Sequence, residues 1–311
     1  MSTLAATEST RRTVELALRG RRVDVRGRTF QALLLLTLFI SLGVLLVLLW
    51  TTWNTAQPVF TERGGDFVRS DVSSLASRAG VWQGIVGSLI LTGFVVVVAL
   101  PLGVAAAIYL QEYARDTALN RLLIANIRNL AGVPSVVYGI LGLVVFAQAL
   151  RGITGGLSYI SGGLTLAVLV IPIVILVTME ALRAVPASIR EAAYGVGATR
   201  WEVVRSHVLP YAAPGVFTGA ILSLARAFGE TAPLLLVGAV TGYISTGGDR
   251  GLIETLQGRF TALPTLIFSF SRQIGDDWRA NAAAAILVLL VVILAVNAVA
   301  IVLRNRYERK W

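Results

Sequence analysis

PASIREAAYGVGATRWEVVRSHVLPYAAP (residues 186–214) lies between two long apolar segments, yet it is polar and charged. Ser188 is followed three residues on by Glu191, and Thr199 three residues on by Glu202. Each spacing predicts a capping box, in which hydroxyl and carboxylate satisfy orphan N–H groups at a helix start. Gly195 and Gly197 fall between the two boxes, where the first helix stops and the chain turns through a conformation that suits glycine. Pro210 and Pro214 predict the end of the second helix and the opening turn of the next apolar segment. The stretch therefore reads as a helix–turn–helix elbow at a membrane surface. The pattern alone leaves two roles open: a rigid knob offered to a soluble partner, or a structured connection between two spans.

Composition points to a bilayer. Hydrophobic residues make up 56% of the 311 positions and charged ones 14%, with a mean hydropathy of +0.75. An ordinary soluble domain carries about 25% charged residues. The net charge of +10 does not indicate nucleic acid, because the basic residues flank the apolar runs rather than forming a stripe. Cysteine is absent, which excludes disulfides and thiolate chemistry, and the single histidine, His207, excludes two-His metal ligation within the chain. The only lysine is Lys310, so no phosphate-binding loop of the G-x-x-x-x-G-K-[ST] type exists here. If ATP drives this protein, another chain hydrolyses it.

Residues 1–29 form a basic arm. Six apolar runs follow, at about 30–53, 81–110, 124–150, 162–184, 211–240 and 281–303, each near the roughly 20 residues that a helix needs to cross a bilayer. The first run is too long for a signal peptide and ends in Trp50 and Trp53, which suit an interface. The prediction is an all-α polytopic membrane protein. Its spanning domain covers 30–304, with a polar surface loop at 54–80, the elbow at 186–210, a loop at 241–279 on the opposite side and a basic tail at 305–311. Within that loop the apolar stretch 263–270 is too short to span, and reads as an interfacial helix or as a lid packed on the bundle. Pro101, Pro134, Pro172 and Pro233 interrupt four of the runs, either as packing kinks or as breaks beside a pathway. Gly215-x-x-x-Gly219 predicts close helix packing.

Orientation follows from arginine placement. The N-terminal arm, the 111–128 turn, the elbow and the tail carry 18 of the 27 Lys+Arg, whereas the opposite loops carry 8. The positive-inside rule then puts both termini and the elbow in the cytoplasm.

Arg226 stands inside the fifth run, with Glu230 four positions on and on the same helix face. Each charge costs about 2.5–3.5 kcal/mol at the bilayer centre, so such residues usually face a cavity or a substrate route. A guanidinium offers a planar fork that matches a tetrahedral oxyanion. Glu230 either holds Arg226 in place or accepts a proton from a protonated oxyanion, and Ser223 and Thr231 are nearby donors. A purely structural intramembrane ion pair is the plainer alternative.

Three stretches carry a family resemblance. Glu191-Ala192-Ala193, Gly197 and Leu209-Pro210 resemble the EAA loop of ABC-importer permeases, with His207 where isoleucine is usual. The run from Arg226 through Gly229, Glu230 and Thr231 to Pro233 is similar to the R-A-x-G-E-T-A-P signature of bacterial phosphate-importer permeases. The run from Asn129 through Pro134, Ser135 and Tyr138 to Gly139, together with Thr261–Pro264, resembles the PstA-type subunit. The likeness extends over roughly residues 80–305. It implies the type I ABC importer permease fold, and a substrate pathway containing Arg226, Glu230, Thr231, Asn129, Ser135 and Tyr138. It implies ATPase coupling through Glu191, Ala192, Ala193, Gly197, Leu209 and Pro210. The implied partners are a PstC-like second permease, a PstB-like ATPase dimer and a PstS-like extracytoplasmic phosphate-binding protein, in a bacterial cytoplasmic membrane. No cofactor or metal is expected in this chain, ATP and magnesium belonging to the ATPase subunits, and no catalytic residue is expected. A permease for sulfate, molybdate or phosphonate, and a non-transporting scaffold or sensor, are the alternatives.

Overall fold

In the computed structural model the described residues are 25–239 and 252–307, and they are nearly all helical. Most of the basic arm, the last residue of the fifth run (240), residues 241–251 of the loop and the last four residues of the tail lie outside them. The chain divides into two compact units, Met1–Thr51 and Thr52–Trp311. In the first, helix α1 begins at Val25 and is apolar on all sides from Leu33 to Leu49, as a lipid-bathed helix is.

Helix α1 runs to Arg63, passing through Pro58. The expected loop at 54–80 is therefore corrected in its first third. The reason is packing: Ala56 and Val59 are buried in a cluster with Phe67, Phe270, Trp278 and Ala282–Ala285. Helix α2 spans Trp82–Tyr113 and contains two wide π turns, Val95–Ala99 and Tyr109–Tyr113. Pro101 lies just after the first of them. A proline has no N–H to donate and crowds the preceding turn, and a locally widened turn accommodates both defects.

The expected third span is also corrected. It is a bent pair, α3 (Ala118–Ala131) and α4 (Ser135–Ala149), turned by 98° at Gly132–Pro134. Pro134 has extended backbone (φ −54°, ψ 136°) and starts α4. A residue before proline is pushed out of helical geometry, so the helix cannot run through Val133, and Gly132 is the C-cap of α3. The hydrophobic side of α3 places Ile124 and Ile127 against Ala107, Ile175 and Met179. Among the described residues five helices are long and apolar enough to cross a membrane, and the bent pair makes a sixth when counted as one span.

Helix α5 (Tyr159–Arg183) is the hub. It packs against α2, α3, α4 and the later helix α7 (Arg200–Gly229). Its 25 residues extend about 37 Å, enough for a bilayer core. Leu166, Val170 and Val174 form the central cluster with Leu91, Val95, Leu224 and Leu234. Lipid tails are as apolar as these side chains, so close packing and dispersion hold the helices together rather than exclusion from water. The expected small-residue seam is present. A Cβ on Gly215 would sit 2.8 Å from that of Ala181, and Gly219 abuts Val177, so α7 and α5 touch nearly backbone to backbone.

After α7 come α8 (Ala232–Leu236), α9 (Leu263–Ser271) and α10 (Asp276–Tyr307). Between the two readings of 263–270, the packed lid holds. Leu263, Leu266 and Phe270 are fully buried, and the Leu263 N–H donates to Ser88 Oγ at 2.8 Å.

Candidate translocation and coupling sites

The elbow consists of α6 (Ala187–Gly195), a turn at 196–198 and the start of α7. Of the two expected capping boxes, only the second forms. Thr199 N–H and its hydroxyl bond Glu202 Oε2 at 2.7 and 2.8 Å, while the Glu202 N–H bonds Thr199 Oγ1 at 3.4 Å. At the first, Pro186 occupies the N-cap, so Ser188 is the second helical residue and Glu191 lies two positions past the place where a box needs it. Gly197 turns the chain with φ +85°, while Gly195 is an ordinary helical residue. Pro210 does not end a helix as expected. The π turn Val204–Val208 precedes it and lets α7 run unbroken from Arg200 to Gly229.

A small core fastens the elbow to the bundle. Ala193 packs with Leu182, Val185, Val203, Val208 and Ala212. Glu191, Ala192 and Gly197 are exposed, and Leu209 and Pro210 are half-buried. Pro210 and His207 line a cavity of about 260 Å³ with Ile189 and Tyr211. Tyr194, Val196 and Trp201 are exposed at the elbow. These three lie within eight residues of one another on an otherwise polar elbow.

The elbow also has a polar lock that sequence reading missed. Three consecutive residues at the end of α2 each hold one arginine. Gln111 Oε1 accepts from Arg183 Nε at 3.0 Å, Glu112 pairs with Arg190, and the Tyr113 ring lies 5.1 Å from the Arg200 guanidinium. Arg190 further donates to the carbonyls of Leu182 and Val185 at 2.9 and 2.8 Å, capping the last turn of α5. The residues lie more than seventy positions apart, so no local pattern announces them; the only signal was a polar triplet ending an apolar run.

The second site lies at the far end of α7. Arg226 is in the last turn of this helix and Glu230 is its C-cap, with extended backbone (φ −73°, ψ 121°). The expected fifth span is thus two helices, α7 and α8, parted at Glu230–Thr231, and Arg226 stands at a helix end rather than mid-span. A cation there also complements the negative end of the helix dipole. Arg226 Nε is 3.5 Å from Glu230 Oε1; the Arg226 side chain is 51% exposed and that of Glu230 only 15%. Glu230 is the half-buried partner and the guanidinium is the more exposed of the two. Thr231 is the half-buried N-cap of α8, and Ser223, one turn before Arg226, has a buried hydroxyl without a partner.

The two helix breaks meet. Helix α4 packs against α8, and a Cβ on Gly139 would sit 2.7 Å from the Pro233 Cα. Tyr138 is buried and its hydroxyl donates to the Leu130 carbonyl at 2.9 Å, across the α3–α4 bend. That hydroxyl braces the break. Asn129 is exposed and Ser135 half-buried on either side of it, and neither is brought into contact with Arg226. No group of three His, Cys, Asp or Glu among the described residues is placed to hold a metal ion.

Apolar helices around one hub, a polar elbow locked to their ends and a guanidinium at a helix break define a multi-pass membrane permease subunit. Residues 99–311 match the family described as binding-protein-dependent transport system inner membrane component, and the chain belongs to that family. Its relatives include the phosphate transport system permease protein PstA 1 of Mycobacterium tuberculosis, 30% identical over 289 residues, covering 91% of each chain. PstC of Mesorhizobium japonicum is 29% identical over 295 residues, covering 88% of this chain and 86% of that one. Among solved structures, a bacterial alginate ABC transporter in complex with its pentasaccharide-bound periplasmic protein aligns with a TM-score of 0.64 at 16% identity. That alignment covers 92% of this chain and 98% of the other, and the fold is that of an ABC importer permease.

Proposed function

We propose that this chain is the PstA-type permease subunit of an ATP-driven importer that carries inorganic phosphate inward. The observation that carries the reading is the Arg226 guanidinium, half exposed at a helix break and backed by a half-buried Glu230. A tetrahedral oxyanion bonds such a fork at two oxygens, and neighbouring discontinuous helices are the usual frame of a transport site. Glu230 leaves a net charge near zero until the anion arrives, and it accepts a proton bond from a monohydrogen or dihydrogen phosphate while repelling a fully ionised anion.

The exposed apolar face of the elbow supports docking of an ATPase subunit on the cytoplasmic side, where ATP and magnesium bind. Closure of the ATPase pair moves the elbow, and the lock at Gln111–Tyr113 carries that movement into α2 and α5. A PstC-like permease completes the pathway and an extracytoplasmic binding protein delivers phosphate, in the cytoplasmic membrane with both termini inside.

The test is uptake of labelled phosphate into vesicles carrying the whole complex. Arg226→Ala is expected to lower uptake at least about tenfold, the loss that follows from one charge-assisted hydrogen bond. Undiminished phosphate uptake removes the substrate assignment, and stronger competition by sulfate or molybdate transfers it to another oxyanion. Purification of the chain without any ATPase removes the importer reading.

A further inference from the structure

At the end of α5 opposite the elbow lies a cavity of about 530 Å³. Its walls come from the end of α4, the turn before α5 and the segment that leads to α9. Arg151 and Arg259 both line it, with Gln148 and Gln257, and no carboxylate is among the lining residues. Neither arginine is in an ion pair among the described residues.

The cavity is built rather than incidental. Gly155 and Gly156 both have positive φ (+82° and +86°), which folds the turn back on itself. A Cβ on Gly155 would be 2.6 Å from that of Gln257, so the two walls touch there, and Gln257 Nε2 donates to the Ile153 carbonyl at 2.9 Å. Arg151 lies across Gly156, its Cγ and Nε 3.4 and 3.6 Å from where a Cβ would be. The glycine makes the bed in which the arginine stem rests.

Position ties the cavity to Arg226. Leu157, in the cavity wall, abuts Gly238. Gly238 is eight residues beyond Glu230, on the far side of the short helix α8. Glu230, which pairs with Arg226, thus lies just before α8, and the two-arginine cavity adjoins the residue just after it.

We propose that this cavity is a second oxyanion site, which takes phosphate at the outer mouth before it moves along the α4–α8 wall to Arg226. The two guanidinium groups are donors alone and the Gln148 amide can turn its NH2 toward the cavity, which suits an anion with several acceptor oxygens. Placing arginines on the side where the positive-inside rule disfavours them is consistent with a role toward an anion. The proposal rests on the reading of the chain as a phosphate importer subunit.

The experiment uses the complete importer in proteoliposomes, with saturating phosphate-loaded binding protein and two lipid compositions, zwitterionic and anionic. Labelled phosphate uptake and binding-protein-stimulated ATP hydrolysis are measured together for Arg151→Gln, for Arg259→Gln and for the two combined. The expected result is a fall in uptake of about tenfold, the loss of one charge-assisted hydrogen bond, while stimulated hydrolysis stays at the level of the unaltered complex. Arg151→Lys/Arg259→Lys is expected to recover part of the uptake. Equal uptake by all variants overturns the proposal. So does a parallel loss of ATPase stimulation with weaker binding-protein affinity, since the arginines would then be docking contacts. A defect confined to anionic liposomes overturns it in favour of a phospholipid headgroup. Failure of the importer reading itself shows separately, as an unaltered complex that takes up no labelled phosphate above background or that purifies without an ATPase.

Discussion

Glu112 and Arg190 form a two-point ion pair, Nη2 to Oε1 at 2.8 Å and Nε to Oε2 at 3.4 Å, between the elbow and the end of α2. The side chains are 9% and 21% exposed, so the pair is largely removed from solvent. Removing one partner of a buried pair leaves an uncompensated charge and costs about 3–5 kcal/mol. Arg190→Gln is therefore expected to loosen the elbow and to lower phosphate uptake per ATP hydrolysed, measured as the ratio of the two rates in proteoliposomes. The exchanged pair Glu112→Arg/Arg190→Glu is expected to recover only part of that ratio, because the new glutamate cannot donate to the Leu182 and Val185 carbonyls. A ratio unchanged in Arg190→Gln contradicts a role in coupling.

Thr199 holds the second elbow helix by a reciprocal cap with Glu202. Thr199→Ala is expected to destabilise that turn by about 1 kcal/mol, visible as faster amide hydrogen exchange over residues 199–203 with little change elsewhere. Thr199→Ser keeps the hydroxyl and should restore protection. Ser188→Ala, by contrast, is expected to leave exchange in α6 unchanged, since no side chain caps that helix.

Gly139 is where α4 meets α8, and an added methyl would strike the Pro233 backbone. Gly139→Ala is expected to cost about 1–3 kcal/mol through overpacking and to reduce uptake by shifting the helix break beside Arg226. Gly93→Ala, which faces open space, serves as the control. Thermal unfolding of the purified complex and uptake should fall together in the first variant and in neither measurement in the second.

Tyr138 separates bracing from substrate contact. Its hydroxyl donates to Leu130 across the bend. Tyr138→Phe is expected to cost roughly 1 kcal/mol in stability, with uptake close to that of the unaltered protein. A loss of uptake without loss of stability would instead put the phenol in contact with the anion.

Hydropathy and the residues of the elbow were enough to read a helical membrane subunit. Those signals are local: an apolar run needs no partner to prefer lipid, and the Thr199–Glu202 cap closes within one turn. The Arg226–Glu230 pair was legible for the same reason, because four residues is one helical turn. The tertiary structure decided what depends on distance in sequence. It parted the third run at Gly132–Pro134 and the fifth at Glu230–Thr231, continued α7 through Pro210, and set Arg226 at a helix end. It also brought Glu112 to Arg190 and Arg151 to the cavity that Arg259 shares. A proline in a sequence has several outcomes in a fold, a widened turn, a new helix start or a sharp bend, and the neighbouring helices choose among them by what they can pack against.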